Sequence, residues 1–302
     1  MTSTCMTGTA FLLAGMIVTA GAAQGGTRYD FSQLKPLPPV DSPAYADGFL
    51  RDFRLNIQAS YARSWNRGDQ VPLERTSREV GLGLQFRIGD RGFASLSGQF
   101  GREDIATQPA EFPLDMDNEV TVRGFDVMAG LSPLPGVTVG AMAGRGHADS
   151  SYVFLDDPAL TENRSSGDNT RFGGFAGLVV PTGTLTYTAT ATILRSLSDQ
   201  QYNPGNVPPE NAWSSASGIL AFGMVYPVSP DFSLKGDIAY TRILSQTVAA
   251  GSPGRDRDWL TLKATALYNI NEKLQVQLGA STWAWNDTAG QVRVTTGLTY
   301  KF

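Results

Sequence analysis

The chain has 302 residues, of which 41% are hydrophobic and 17% are charged. The charged share is below the quarter that is usual for soluble domains. Its 24 basic and 28 acidic residues give a net charge of −4, and nucleic-acid binding would call for a basic patch or stripe. We therefore expect no nucleic-acid partner.

Residues 1–23 have the pattern of a secretory signal peptide. The apolar stretch 11–18 is too short to span a bilayer as a helix, and it runs into the small residues 19–23. We expect cleavage after Ala22 or Ala23, although residues 1–10 carry no Lys or Arg. Cys5 is the one cysteine of the chain, so the mature protein is expected to be exported without disulfides.

Residues 24–50 contain four prolines and little periodicity, which predicts an extended, semi-rigid leader in the periplasm. The leader could hang free, plug a lumen or contact a periplasmic partner. It is too short to be a secreted passenger.

The rest of the chain alternates between apolar and polar residues. Because no apolar run reaches eighteen residues, no transmembrane helix is expected, and a closed barrel is the remaining way to span a membrane with every backbone group paired. In the last segment Val292 and Val294 share one face with Leu298, while Arg293 and Thr295 share the other. Such two-sided segments recur from about residue 51 onward.

Twelve strands follow from this alternation, and the connections between them are short and long in turn until the last. The predicted strands are 51–64, 77–88, 92–104, 119–132, 137–148, 169–180, 184–196, 213–226, 232–244, 256–269, 273–285 and 291–302. Short periplasmic turns and longer extracellular loops are typical of bacterial outer-membrane barrels. Since both parities of 213–226 carry apolar residues, ten or fourteen strands remain possible. The predicted fold is all-β, a single transmembrane antiparallel up-and-down β-barrel over residues 51–302, with both termini in the periplasm.

Aromatic residues collect at the predicted strand ends. All five tryptophans fall at the outer ends: Trp65, Trp213, Trp259, Trp283 and Trp285. Other aromatic residues, among them Phe53 and Tyr268, fall at the periplasmic ends. The pattern predicts aromatic girdles at both membrane interfaces.

The chain stops on an aromatic residue within an alternating strand that carries Leu298, Tyr300 and Phe302. In this it resembles Gram-negative outer-membrane β-barrel proteins, whose C-terminal aromatic residue belongs to the signal recognised by the barrel assembly machinery. The resemblance implies that machinery as a partner and the outer membrane as the location. In size the barrel is similar to autotransporter translocator domains and small porins, but the passenger that translocators export is missing.

Lys263 decides which face meets lipid. A basic residue on the lipid face at mid-membrane would cost roughly 2–4 kcal/mol, so Lys263 is predicted to point into the lumen. The same parity holds for Arg54, Arg87, Lys235, Asp237 and Arg293, which predicts a polar lumen of mixed charge.

Four arginines have lipid-facing parity but lie at the outer strand ends: Arg63, Arg145, Arg195 and Arg242. Arg123 joins them if Gly124 marks no bulge. These side chains either extend to water along their aliphatic stems or pair with lipopolysaccharide phosphates and other outer-membrane lipids.

Little in the sequence indicates enzymatic chemistry, and we expect no cofactor and no metal site. His147, Asp149 and Ser151 share one face of a strand near the outer rim. Outer-membrane phospholipase A looks similar in placing a serine–histidine site on the barrel exterior. In that family and in lipid A deacylase the histidine stands two residues before the serine, whereas Asp149 occupies that position here.

The leading functional hypothesis is a small porin-like channel for passive passage of solutes or ions. One alternative is a structural or interaction barrel that anchors surface loops or a periplasmic complex. A second is an outer-leaflet lipid hydrolase.

Overall fold

A computed structural model describes residues 50–66, 73–107, 116–154, 163–202, 211–247, 258–284 and 289–302. The predicted signal peptide and leader, apart from Leu50, lie outside these residues, as do most of the predicted outer loops. Among the described residues, no helix is long and apolar enough to cross a membrane.

Twelve antiparallel strands form one closed barrel, in which each strand pairs with its sequence neighbours and β1 pairs with β12. This confirms the predicted fold class and strand count. The strands are β1 (Leu50–Asn66), β2 (Leu73–Ile88), β3 (Gly92–Thr107), β4 (Met116–Leu134), β5 (Val137–Phe154), β6 (Asn163–Thr182), β7 (Leu185–Tyr202), β8 (Asn211–Pro227), β9 (Phe232–Thr247), β10 (Asp258–Asn269), β11 (Leu274–Ala284) and β12 (Ala289–Lys301).

The stagger of the strands sets the width of the barrel. A circuit of the barrel that follows Cα partners starts at Arg164 of β6, passes from β5 down to β1 and then from β12 down to β7, and returns to β6 at Leu178. The start and the end of the circuit are 14 residues apart on β6, and this distance is the stagger. Twelve strands with this stagger tilt by about 40° and form a backbone cylinder with a radius of roughly 11 Å. The bore therefore lies between those of side-chain-filled eight-stranded barrels and open sixteen-stranded porins.

Short turns join the strands at the end of the barrel where β1 begins and β12 ends, which we call the turn end. Gly89, Gly136 and Gly183 adopt positive φ angles of 56°, 75° and 58° in three of these turns, a conformation that glycine reaches without a steric penalty. The opposite end is called the loop end. Several strands extend further toward it than predicted, so that 149–154 belong to β5 and 163–168 to β6.

The outer surface of the barrel is apolar, as a lipid-facing surface requires. Leu220 and Phe222 of β8 are 50% and 63% exposed, and Ile193 of β7 is 64% exposed. On β8 the even-numbered residues therefore face outward, and Ile219 and Val225 face the lumen, which resolves the ambiguity in that segment. The strands expose their apolar faces to the exterior because hydrocarbon, unlike water, imposes no penalty on them.

Candidate functional site

The lumen wall carries most of the charges that the strands hold in their central parts. Strand parity directs eight basic side chains but only four acidic ones inward between residues 54 and 301 of the described strands, and Asp52, which pairs with Arg87 at the start of β1, is a fifth acid. The basic ones are Arg54, Arg75, Arg87, Arg171, Lys235, Lys263, Arg293 and Lys301, and the acidic ones are Glu79, Glu103, Asp126 and Asp237. All six residues predicted to line the lumen are among them.

The ion pair of Asp126 and Arg171 passes over the strand between them at a glycine. Asp126 of β4, Gly144 of β5 and Arg171 of β6 are Cα partners in one row. The Arg171 guanidinium donates to both oxygens of the Asp126 carboxylate, at 2.9 and 3.1 Å. A Cβ at Gly144 would overlap that carboxylate. Glycine therefore lets the pair lie flat against the wall.

A second pair spans β12, β1 and β2. Arg293 of β12 donates to Glu79 of β2 at 2.9 Å and to the Ser60 hydroxyl of β1 at 3.3 Å. Here too the two charges belong to strands on either side of an intervening strand, which contributes a small residue. Two further lumenal pairs, Arg75 with Glu103 and Arg87 with Asp52, join neighbouring strands β2–β3 and β1–β2.

Lys235, Asp237 and Lys263 form a compact basic cluster on β9 and β10. The Lys235 ammonium lies 3.2 Å from the Asp237 carboxylate, and Lys263 is the Cα partner of Asp237. Two positive charges to one negative charge leave the cluster with a net charge of +1. Thr265 is the Cα partner of Lys235 and Ser281 is that of Lys263, so polar side chains continue the cluster on β10 and β11.

The lumen wall of β3–β6 near the turn end is apolar instead. Phe93, Gly130, Gly140 and Phe175 are successive Cα partners across these four strands. The two phenylalanine rings fold over the two glycines and approach each other to 6.1 Å between centroids, and Met128 packs in the same cluster. The lumen wall therefore has an apolar patch near the turn end, beside strands that carry ion pairs elsewhere.

Two tryptophans lie in the lumen, which corrects the prediction that all five form the outer girdle. Trp259 of β10 and Trp283 of β11 share parity with Lys263 and Gln277, and their ring centroids are 5.9 Å apart. Trp65 has lipid-facing parity on β1. Trp285 and the side chain of Trp213 lie outside the described residues. The parity that identified the lumenal lysines could have identified Trp259 and Trp283 as well.

On the exterior near the loop end, His147 lies between two carboxylates. Its Nδ1 is 2.9 Å from Asp168 and its Nε2 is 3.0 Å from Asp149. Because both ring nitrogens are engaged, neither is available in this arrangement to accept a proton from Ser151, two residues beyond Asp149. The lipid-hydrolase hypothesis stays a prediction, without support from this geometry. In the described part of the chain, no group of three or more His, Cys, Asp or Glu side chains is placed to hold a metal ion.

The exterior arginines near the loop end are mostly paired across strands. Arg63 donates to Glu74 at 2.8 Å and Arg145 to Asp168 at 3.1 Å. Arg242 lies beside Tyr240, and Arg195 is exposed. No bulge interrupts β4 at Gly124, so Arg123 also faces outward, 3.6 Å from Asp149. This belt is thus mixed in charge rather than purely basic, and its contact with lipopolysaccharide stays a prediction.

The C-terminal residues close the barrel at the turn end. The Phe302 amide donates to the Phe53 carbonyl at 3.1 Å, and the Tyr300 and Phe302 rings meet edge to face with centroids 5.0 Å apart. Leu298 pairs with Ile57 of β1 and Val276 of β11 on the lipid face. Recognition of these residues by the assembly machinery stays a prediction.

A closed antiparallel barrel with an apolar exterior and a charged interior defines the chain as a transmembrane β-barrel of the outer-membrane type. No protein-family model matches the sequence, and no curated protein matches it.

Solved structures show the same architecture at low sequence identity. The translocator domain of autotransporter NalP from Neisseria meningitidis is similar with a TM-score of 0.71 and 13% identity, over 98% of this chain and 97% of that chain. The transport unit of the autotransporter AIDA-I from Escherichia coli gives 0.62 and 14%, over 95% and 98%. An outer membrane channel from Pseudomonas putida F1 gives 0.50 and 13%, over 87% and 100%. These likenesses show the fold.

Proposed function

We propose that the chain is a passive channel in the outer membrane and that it prefers anions. The observation that carries the proposal is the arrangement of lumenal charges. They pair along the wall and over small residues, as Asp126 and Arg171 do above Gly144, and the pairs described above join strands no more than two apart. Pairs that run along the wall, rather than across the bore, are the arrangement that a passage through the barrel requires.

The preference for anions follows from the excess of basic over acidic side chains on the wall. Rings and clusters of Arg and Lys favour anions in pores, because they lower the electrostatic cost of bringing a negative solute into a narrow passage. The cluster of Lys235, Asp237 and Lys263 concentrates part of that excess on β9 and β10.

The likeness to outer-membrane barrels supports the outer membrane as the location. We place the turn end in the periplasm and the loop end outside the cell, because short periplasmic turns and longer extracellular loops are the rule for such barrels. Both termini then lie in the periplasm.

Conductance of the folded protein in a planar lipid bilayer tests the proposal. We expect discrete current steps. In a potassium chloride gradient, we expect a reversal potential with the same sign as the chloride equilibrium potential. Lys263→Gln should move the reversal potential toward that of potassium, because it removes a lumenal positive charge. Arg195→Gln is the matched control, since Arg195 lies on the exterior, and should leave the potential unchanged. Folded protein that gives no steps, or a preference for potassium, would overturn the proposal.

A further inference from the structure

The two lumenal tryptophans form a platform near the loop end of the barrel. Trp259 and Trp283 lie on neighbouring strands with their rings 5.9 Å apart and inclined by 40°. Both side chains are partly exposed. Trp presents a large apolar ring face together with one polar N–H group, which suits a ligand that is flat and apolar on its faces but polar at its edge.

Polar groups around the platform lack hydrogen-bond partners. Trp259 Nε1 and the hydroxyls of Thr241 and Thr261 are buried, and none of the three has a partner among the described residues. Thr241 is the Cα partner of Trp259, and Thr261 is the Cα partner of Trp283. Thr241 is only 2% exposed. A buried donor or acceptor without a partner is unfavourable, so hydroxyl groups on a ligand would find several unmet partners in one place.

The basic cluster of Lys235, Asp237 and Lys263 lies next to the platform, because Lys263 is the next inward-facing residue of β10 after Thr261. Lys263 follows Thr261 on the inward face of β10, about 13 Å from Trp259 between Cα atoms, as four residues of extended strand require. The ammonium group of a lysine reaches several ångströms from its Cα, which brings the charge of Lys263 within reach of a sugar-sized molecule stacked on Trp259. The net charge of the cluster, with Lys235 and Asp237, is +1.

We propose that this wall of β9–β11 is a binding site for an acidic sugar, a hydroxylated six-membered ring that carries a carboxylate. The C–H face of the ring stacks on the indoles, ring hydroxyls bond with the threonines and the Trp259 N–H, and the carboxylate points to Lys263. The inference rests on the proposed function, because the site would select among the anions that the channel admits.

Ligands of matched size separate the three features of the site. Saturation-transfer NMR titrations of the full folded chain in detergent would use glucuronate, glucose and cyclohexanecarboxylate. Glucose lacks the charge, and cyclohexanecarboxylate lacks the ring hydroxyls. We expect glucuronate to bind about tenfold more tightly than either. Equal binding of glucuronate and cyclohexanecarboxylate would overturn the proposal, because it would show that the unpartnered polar groups contribute nothing.

Variants locate the site. Trp259→Ala and Trp283→Ala should each weaken glucuronate binding about tenfold, whereas Trp65→Ala on the lipid face should not change it. Trp259→Phe keeps a ring but removes the N–H, so it should lose part of the affinity while remaining folded, even if the alanine variants fail to fold. Unchanged affinity of folded Trp259→Phe and Trp283→Ala would also overturn the site.

The binding measurement does not depend on conduction, so the two proposals can fail separately. Current steps without glucuronate binding would remove the sugar site and leave the channel. Binding without current would retain the site and remove the channel.

Discussion

At the scale of single residues, the ion pairs on the lumen wall depend on the positions of glycines as much as on the positions of the charged residues. Gly144 lies between Asp126 and Arg171 in one row across three strands. The carboxylate and guanidinium meet above it because it has no Cβ. Any larger residue would push the pair into the bore or break it.

Gly144→Ala should therefore destabilise the barrel by about 1–3 kcal/mol, since the added methyl group overpacks a buried ion pair. The urea midpoint of unfolding in detergent micelles measures the effect. Gly236→Ala is the matched control, because a Cβ there meets nothing within 4 Å. Equal midpoints for the two variants would contradict the role assigned to Gly144.

The sequence allows the parity of such residues to be predicted, but not their partners. Lys263 must face the lumen for energetic reasons, and this parity extends along each strand by alternation. The meeting of Asp126 with Arg171 depends instead on the stagger between β4, β5 and β6. That stagger belongs to the closed barrel as a whole and leaves no local signal in the sequence. The sequence does not predict the engagement of His147 by Asp168, because the predicted sixth strand begins at residue 169, whereas β6 begins at Asn163.

At the scale of strands, alternation identifies all twelve elements but not their ends. The predicted fifth strand stops at residue 148, whereas β5 continues to Phe154. Polar residues such as Asp149 and Ser150 resemble a loop in the sequence, although their backbone pairs with β4. Strand ends beyond the hydrocarbon need no apolar face, so the alternation that marks a strand disappears before the hydrogen bonds do.

A pair of neighbouring substitutions tests the two-sided character of β12. Val294 faces lipid and Thr295 faces the lumen at the centre of this strand. Val294→Arg should destabilise the barrel by roughly 2–4 kcal/mol, because it places a charge in hydrocarbon. Thr295→Arg should change stability by less than about 1 kcal/mol. Unfolding in lipid vesicles measures both, and a reversed order would show that the faces are assigned wrongly.

At the scale of the whole molecule, the pairing of β1 with β12 closes the barrel, so every strand has one face toward the lumen and the other toward the exterior. The exterior is apolar and the interior holds an excess of basic charge, with an apolar patch on β3–β6 near the turn end. Composition and alternation were enough to predict a transmembrane barrel of this size. The alternation does not predict the apolar patch in the lumen, because the patch results from the cross-strand row that joins Phe93 to Phe175.

Thiol accessibility along β10 measures directly which face of the barrel meets water. Single cysteines are introduced in a Cys5→Ser background, which contains no other cysteine, and the folded protein in lipid vesicles is treated with a charged, water-soluble thiol reagent. A cysteine at Lys263 should react and reduce the conductance, whereas cysteines at Leu262 and Ala264 should not react. Reaction at Leu262 and Ala264, with Lys263 protected, would contradict the account.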